Sequence, residues 1–235
     1  MTRLLYTAEN DGAGKMLDTI QHSASMGSRF DSLLAQDPID RPLWNTVVAK
    51  TADYLVVPTL GSIVPHWHLV IPRDPSINFH EHLAARSTKD IRGVIAPIVE
   101  ALSPKQLLWF EHGPRFAGSV VGCGTDYAHL HVVLDAPFSF SEFQNAAGEF
   151  LPSWTEHDTE RVYGEIDPGA EYYAFGDLGS AFVSQASGRP TSQLFRKVVA
   201  NLIGKPDQWD YRLFPHDECV RSTIRRWGKP LSRMQ

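Results

Sequence analysis

Short apolar runs of strand length crowd the first two thirds of the chain, and one long helical pattern separates them. Three come in quick succession: WNTVVAK (44–50), DYLVVPTL (53–60) and HWHLVIPR (66–73). Each is rich in Val, Leu and Ile, and Gly61 and Pro65 punctuate the link between the last two. Ile91, Val94, Ile95, Ile98, Val99 and Leu102 then follow the i, i+3, i+4, i+7 spacing of one helical face. Ser87 and Asp90 are placed to cap its first turn, and Pro97 should kink it. Two more runs follow, QLLWFEHG (106–113) and TDYAHLHVVL (125–134), joined by the glycine-rich PRFAGSVVGCG. Strands grouped around one helix predict an α+β fold with a mainly antiparallel sheet of about five strands and helices packed on it.

The remainder is less regular. EYYAFGD and SAFVSQ form a candidate strand pair. Leu194, Phe195, Val198, Val199, Leu202 and Ile203 mark an amphipathic helix that Gly204 and Pro206 should stop. A basic helix is expected over Glu218–Trp227, and a weak helical pattern runs from Met16 to Leu34. The chain divides into a first unit over 1–140 and a C-terminal α/β extension, 141–235, packed on the same domain. With 235 residues it is long enough for a full core.

A net charge of −5 supplies no global basic field, which argues against nucleic acid as a partner. Cys123 and Cys219 lie far apart without a CxxC, so reduced thiols are expected. No apolar run approaches transmembrane length and the N-terminus lacks the apolar segment of a signal peptide, which predicts a cytoplasmic protein without membrane contact. There is no GxGxxG, P-loop or GxSxG.

Chemistry concentrates in DYAHLHVVL. A strand has a side-chain period of two, so Tyr127, His129 and His131 share one face while Ala128, Leu130 and Val132 take the other. Two imidazoles on one face can reach one bound group. Gly122 and Gly124 just upstream let backbone approach a ligand, and their N–H groups can form an anion nest.

These residues resemble the histidine triad (HIT) family, whose motif is His-φ-His-φ-His-φ-φ with φ apolar. Ala128, His129, Leu130, His131, Val132 and Val133 match it. GSIVPHWHLVIPR resembles the family's second signature and FEHG the strand before the motif, so the likeness covers roughly residues 40–140. The resemblance implies a nucleotide hydrolase or nucleotidyltransferase acting on a phosphoramidate, a dinucleoside polyphosphate or another nucleotide conjugate. His129 would attack phosphorus and form a covalent nucleotidyl-histidine. His131 would donate hydrogen bonds to the phosphate oxygens or assist the leaving group. The resemblance implies no required cofactor, and it leaves a homodimer open. Tyr127 stands where the family has its first histidine, and Cys123 and Gly124 where many members carry Gln and Ser. Thr125 is the nearby hydroxyl, and the chain reads as a divergent member.

Other candidates keep two readings each. Glu111 or His112 lines the pocket, or both are polar strand-end residues. Arg115 grips a phosphate, or is a solvated loop residue. His66 and His68 share a strand face with Trp67 opposite; if that pair met His129 and His131, four imidazoles could hold a metal, with Glu111 or His112 nearby. That metal-dependent enzyme is one rival, and a nucleotide-binding protein without turnover is the other. Arg196 and Lys197 read as the solvated side of their helix. Arg221, Arg225, Arg226 and Trp227 read as a phosphate contact or, better, a surface or subunit contact.

Overall fold

The structure is a computed structural model that describes Phe30, Leu33, Leu34, residues 42–186 and residues 190–228. Apart from Phe30, Leu33, Leu34 and Gly228, the helical pattern at Met16–Leu34 and the C-terminal tail fall outside those residues.

The architecture is α+β, with a larger sheet than expected. Eight strands form it: β1 (Ala49–Lys50), β2 (Tyr54–Pro58), β3 (Trp67–Pro72), β4 (Leu107–Gly113), β5 (Leu130–Leu134), β6 (Thr155–Asp158), β7 (Tyr172–Gly176) and β8 (Ser180–Gln185). Their order is β1-β2-β3-β5-β4-β7-β8-β6, and every pairing is antiparallel. The three strands beyond the expected five come from the second part of the chain, because β7 pairs with β4 and continues the sheet. Two runs yield less strand than their composition suggests. WNTVVAK gives a 3-10 turn at Leu43–Asn45 and only Ala49–Lys50 as strand. In TDYAHLHVVL the strand begins at Leu130, since the segment before it bonds to a neighbouring loop: Ala128 N–H donates to the Ser76 carbonyl at 2.7 Å.

Among the described residues five helices with defined bounds cover the sheet: α1 (Phe79–Ala85), α2 (Arg92–Leu102), α3 (Phe140–Phe150), α4 (Leu194–Leu202) and α5 (Asp217–Arg226). Ser87 does not cap α2. Asp90 accepts the Arg92 N–H at 2.9 Å instead, and the helix runs through Pro97. Ser139 closes a full capping box on α3 with Glu142.

Period-two alternation sends the strands' side chains into two cores. On one face Val56, Val70, Trp109, Leu130, Val132 and Tyr172 pack with α1, α2 and α5. On the other Trp67, Phe110, Val133, Tyr173 and Phe175 pack with α3 and α4. The sheet is therefore a middle layer between helices. Among the described residues no helix is long and apolar enough to cross a membrane.

Candidate active site

On the second face, the ends of β3, β4 and β5 leave a cavity of about 210 Å³. His112, His129, His131, Cys123, Thr125, Gln193, Arg196 and Tyr211 line it, with Thr59 and apolar Phe30, Leu60 and Leu69. Register explains how the histidines meet. His131 on β5 lies opposite Leu69 on β3 and Phe110 on β4, and His112 is two residues along β4 on the same face. The His131 ring stacks on Phe110 with centroids 4.7 Å apart, 5.1 Å from the His129 ring and 6.3 Å from the His112 ring.

Hydrogen bonds fix which nitrogen of each ring carries the proton. His129 Nδ1 lies 2.8 Å from the carbonyl oxygen of Tyr127. A carbonyl only accepts, so Nδ1 carries the hydrogen and a neutral His129 has its lone pair on Nε2. His131 has the opposite arrangement. Trp67 Nε1 donates to His131 Nδ1 at 2.9 Å, and an indole N–H only donates. A neutral His131 therefore carries its proton on Nε2. In their neutral forms one imidazole carries a lone pair on Nε2 and its neighbour an N–H there.

The other cavity groups are polar atoms that burial has stripped of water. His112 Nε2, Gln193 Oε1 and the Tyr211 hydroxyl are buried without a hydrogen-bond partner. Native interiors rarely leave such atoms unpaired, so they mark where a ligand's polar groups would sit. Burial, with His129 and Arg196 adding to it, pushes His112 down to about 3, so it is neutral at pH 7. Cys123 adopts a left-handed backbone, φ 57°, and its sulfur accepts the Gln193 N–H at 2.9 Å. Burial pushes that thiol up, which keeps it protonated.

Arg196 corrects the reading of a solvated helix face. It is 4% exposed, and its guanidinium donates to the carbonyls of Trp209, Leu60 and Gly61. The same group lies over the Trp67 ring, 5.0 Å from the centroid. Helical spacing carried the signal, since Val199 and Ala200 at i+3 and i+4 from Arg196 are fully buried. Gly61 makes the approach possible. Its φ is +64°, and a Cβ there would lie 2.5 Å from Tyr211 Cβ and 2.8 Å from Arg196 Nη2. Gly61→Ala should cost about 2–4 kcal/mol, combining left-handed strain with displacement of Arg196. Urea unfolding with an unchanged m-value checks this.

Several sequence candidates lie elsewhere. Glu111 points to the opposite sheet face, where it accepts the Phe79 N–H at 2.6 Å and the Tyr163 and Tyr172 hydroxyls at 2.7 Å each. Tyr127 sits beside the cavity in a cluster with Phe30 and Leu69, donating to the Pro72 carbonyl at 3.0 Å. Arg115, Gly122 and Gly124 do not line the cavity; a Cβ on Gly122 would lie 3.1 Å from the Pro114 ring, and Gly124 takes a turn at φ +76°.

The four-imidazole metal site is not formed. His68 pairs with Val132 and so faces the first core, where its Nε2 accepts the Trp227 N–H at 3.0 Å. Arg226 lies 2.9 Å from His66 Nδ1 and 2.8 Å from Asp135 Oδ2, which makes it an internal brace. Trp67 is the β3 residue that turns toward His131. Among the described residues no group of three or more His, Cys, Asp or Glu side chains is arranged to hold a metal.

No family model matches the sequence, and no curated protein matches it significantly. Among solved structures, yeast Ap4A phosphorylase Apa2 overlaps 81% of this chain and 78% of its own, with TM-score 0.40 and 16% identity. Its complex with AMP overlaps 71% of this chain and 73% of its own (TM-score 0.38, 13% identity). Its complex with Ap4A overlaps 75% and 74% (TM-score 0.36, 14% identity). An overlap this loose assigns no role to any residue here.

Proposed function

We propose that the chain is a nucleotide hydrolase or nucleotidyltransferase that works through a covalent nucleotidyl-His129. The observation that carries this reading is the paired tautomer setting: Tyr127 O holds the His129 proton on Nδ1, and Trp67 holds the His131 proton on Nε2, in rings 5.1 Å apart. The resemblance of AHLHVV to the histidine triad motif supports it independently.

In the first step His129 Nε2 attacks phosphorus. The P–N bond forms as the bond to the leaving group breaks, and the electron pair departs with that group. The Nε2–H of His131 donates to a non-bridging phosphate oxygen as negative charge develops. The buried Arg196 adds positive potential to the cavity that receives the anion. In the second step water or another acceptor attacks phosphorus, the P–N bond breaks and its electron pair returns to Nε2. The acceptor's proton leaves to solvent. This sequence routes no step through a metal.

The test is a single-turnover incubation with AMP and GMP conjugates, followed by intact-protein mass spectrometry under non-acidic conditions. A nucleotidyl adduct on the wild type is expected. Nucleotide binding without adduct or product would favour a binding protein. Gln193→Leu should weaken nucleotide binding roughly tenfold, because a buried amide that pairs with ligand is replaced by an apolar group. Calorimetry on the folded variant reads it.

A further inference from the structure

We propose that Trp67 is a positioning residue that locks His131 as an uncharged Nε2–H donor, and that the site therefore cleaves phosphoanhydrides in preference to phosphoramidates. The inference rests on the nucleotidyl-transfer reading for its second half only.

The lock follows from hydrogen-bond chemistry. Trp67 is fully buried between the sheet and α4, and its single polar atom donates to His131 Nδ1 at 2.9 Å. An imidazolium needs a hydrogen on both ring nitrogens. A second proton on His131 would set N–H against N–H and strand the indole donor in the core. The surroundings act the same way. Phe110 stacks on the ring from β4, and His112 on β4 and His129 before β5 are its imidazole neighbours. Arg196 on α4 puts a cation over Trp67, and no described residue lining the cavity is a carboxylate. Cys123 and Tyr211 are the remaining titratable side chains there, and burial holds Cys123 as a thiol.

A neutral His131 can stabilise charge but has no surplus proton to give. A phosphate or polyphosphate leaving group needs none, because the bridging oxygen keeps the electron pair of the broken P–O bond as a stable anion. An amine leaving group must be protonated as the P–N bond of the substrate breaks. His131 in its locked state does not supply that proton.

The experiment has two arms. In the first, nitrogen-15 histidine NMR follows His131 in the intact wild-type protein between about pH 5.5 and 8, the range where an ordinary imidazole titrates. His131 is assigned by comparison with His131→Asn. The expected spectrum shows the Nε2–H tautomer throughout, whereas Trp67→Phe introduces a titration. A wild-type His131 that titrates across that range, or carries its hydrogen on Nδ1, overturns the lock without any variant having to fold. A folded Trp67→Phe protein whose His131 behaves as in wild type also overturns it.

The second arm compares single-turnover rates on a dinucleoside polyphosphate and on a nucleoside phosphoramidate. The wild type should favour the anhydride by about 100-fold or more, in the range proton transfer contributes. Trp67→Phe should narrow that ratio and add an acid limb to the pH–rate profile. Equal rates in wild type overturn the preference. Turnover of neither substrate, with the NMR lock intact, would count against nucleotidyl transfer and not against the role of Trp67.

Discussion

His129→Gly should abolish the nucleotidyl adduct and slow product release by at least about 1,000-fold, since it removes the atom that forms the covalent bond. Added imidazole should restore part of the rate by occupying the vacated space and attacking phosphorus in the ring's place. Rescue separates a lost nucleophile from a collapsed site, because a damaged cavity would not respond to a small imidazole. His131→Asn should behave differently. It keeps a hydrogen-bond donor near the phosphate but loses the geometry set by Trp67 and Phe110, so the adduct should still form, at a rate about 100-fold lower. If His129→Gly retained wild-type release, nucleophilic attack by His129 would be wrong whatever else the cavity does. The measurement is quench-flow with intact-mass detection, run with the binding affinity of each variant.

The contrast between His129 and Trp67 shows what a sequence can and cannot disclose here. The period of two in DYAHLHVVL predicts Tyr127, His129 and His131 on one face; Tyr127 and His129 both contact Phe30 and the His129 and His131 rings lie 5.1 Å apart, although the strand itself begins only at Leu130. The same rule put Trp67 opposite His66 and His68 on their strand. Whether the histidines or the tryptophan met His131 depended on register across β3 and β5, which no local pattern encodes. Glu111 and His112 pose the same question one strand over, and β4 turns the histidine inward. At Arg196 the helical spacing is legible in the sequence but the partners that hold the guanidinium are not. Its oxygens come from Leu60, Gly61 and Trp209, and backbone carbonyls have no residue-type signature. β7 and β8 are the strand pair expected at EYYAFGD and SAFVSQ, whereas β6 is hidden because Thr155–Asp158 is polar and mostly exposed; pairing with β8 makes it a strand, not its composition.

Glu111, turned away from the cavity, should govern stability and its pH dependence. Its carboxyl is 1% exposed and accepts from the Phe79 N–H and the Tyr163 and Tyr172 hydroxyls. Gly113 helps seat that cluster, since a Cβ there would lie 2.1 Å from the Tyr172 ring. Burial raises Glu111 to about 7 against the pull of its three donors. The folded state therefore binds this proton more tightly than the unfolded chain, whose carboxyl has the ordinary value of 4.5. Below about pH 4.5 both states are protonated and the contribution is complete. Between that value and 7 the unfolded chain ionises first, so stability falls as pH rises, by on the order of 3 kcal/mol in all. Glu111→Gln, which copies the neutral acid, should flatten the slope between about pH 5 and 8. Glu111→Ala should cost roughly 3–5 kcal/mol, because it strands two hydroxyls and a helix N–H in the core. Urea unfolding at several pH values reads both. If the slope survived in Glu111→Gln, another group would be responsible for it. If Glu111→Ala left the midpoint unchanged, the three donors would have found water or new partners and the cluster would not tie α1 to the sheet.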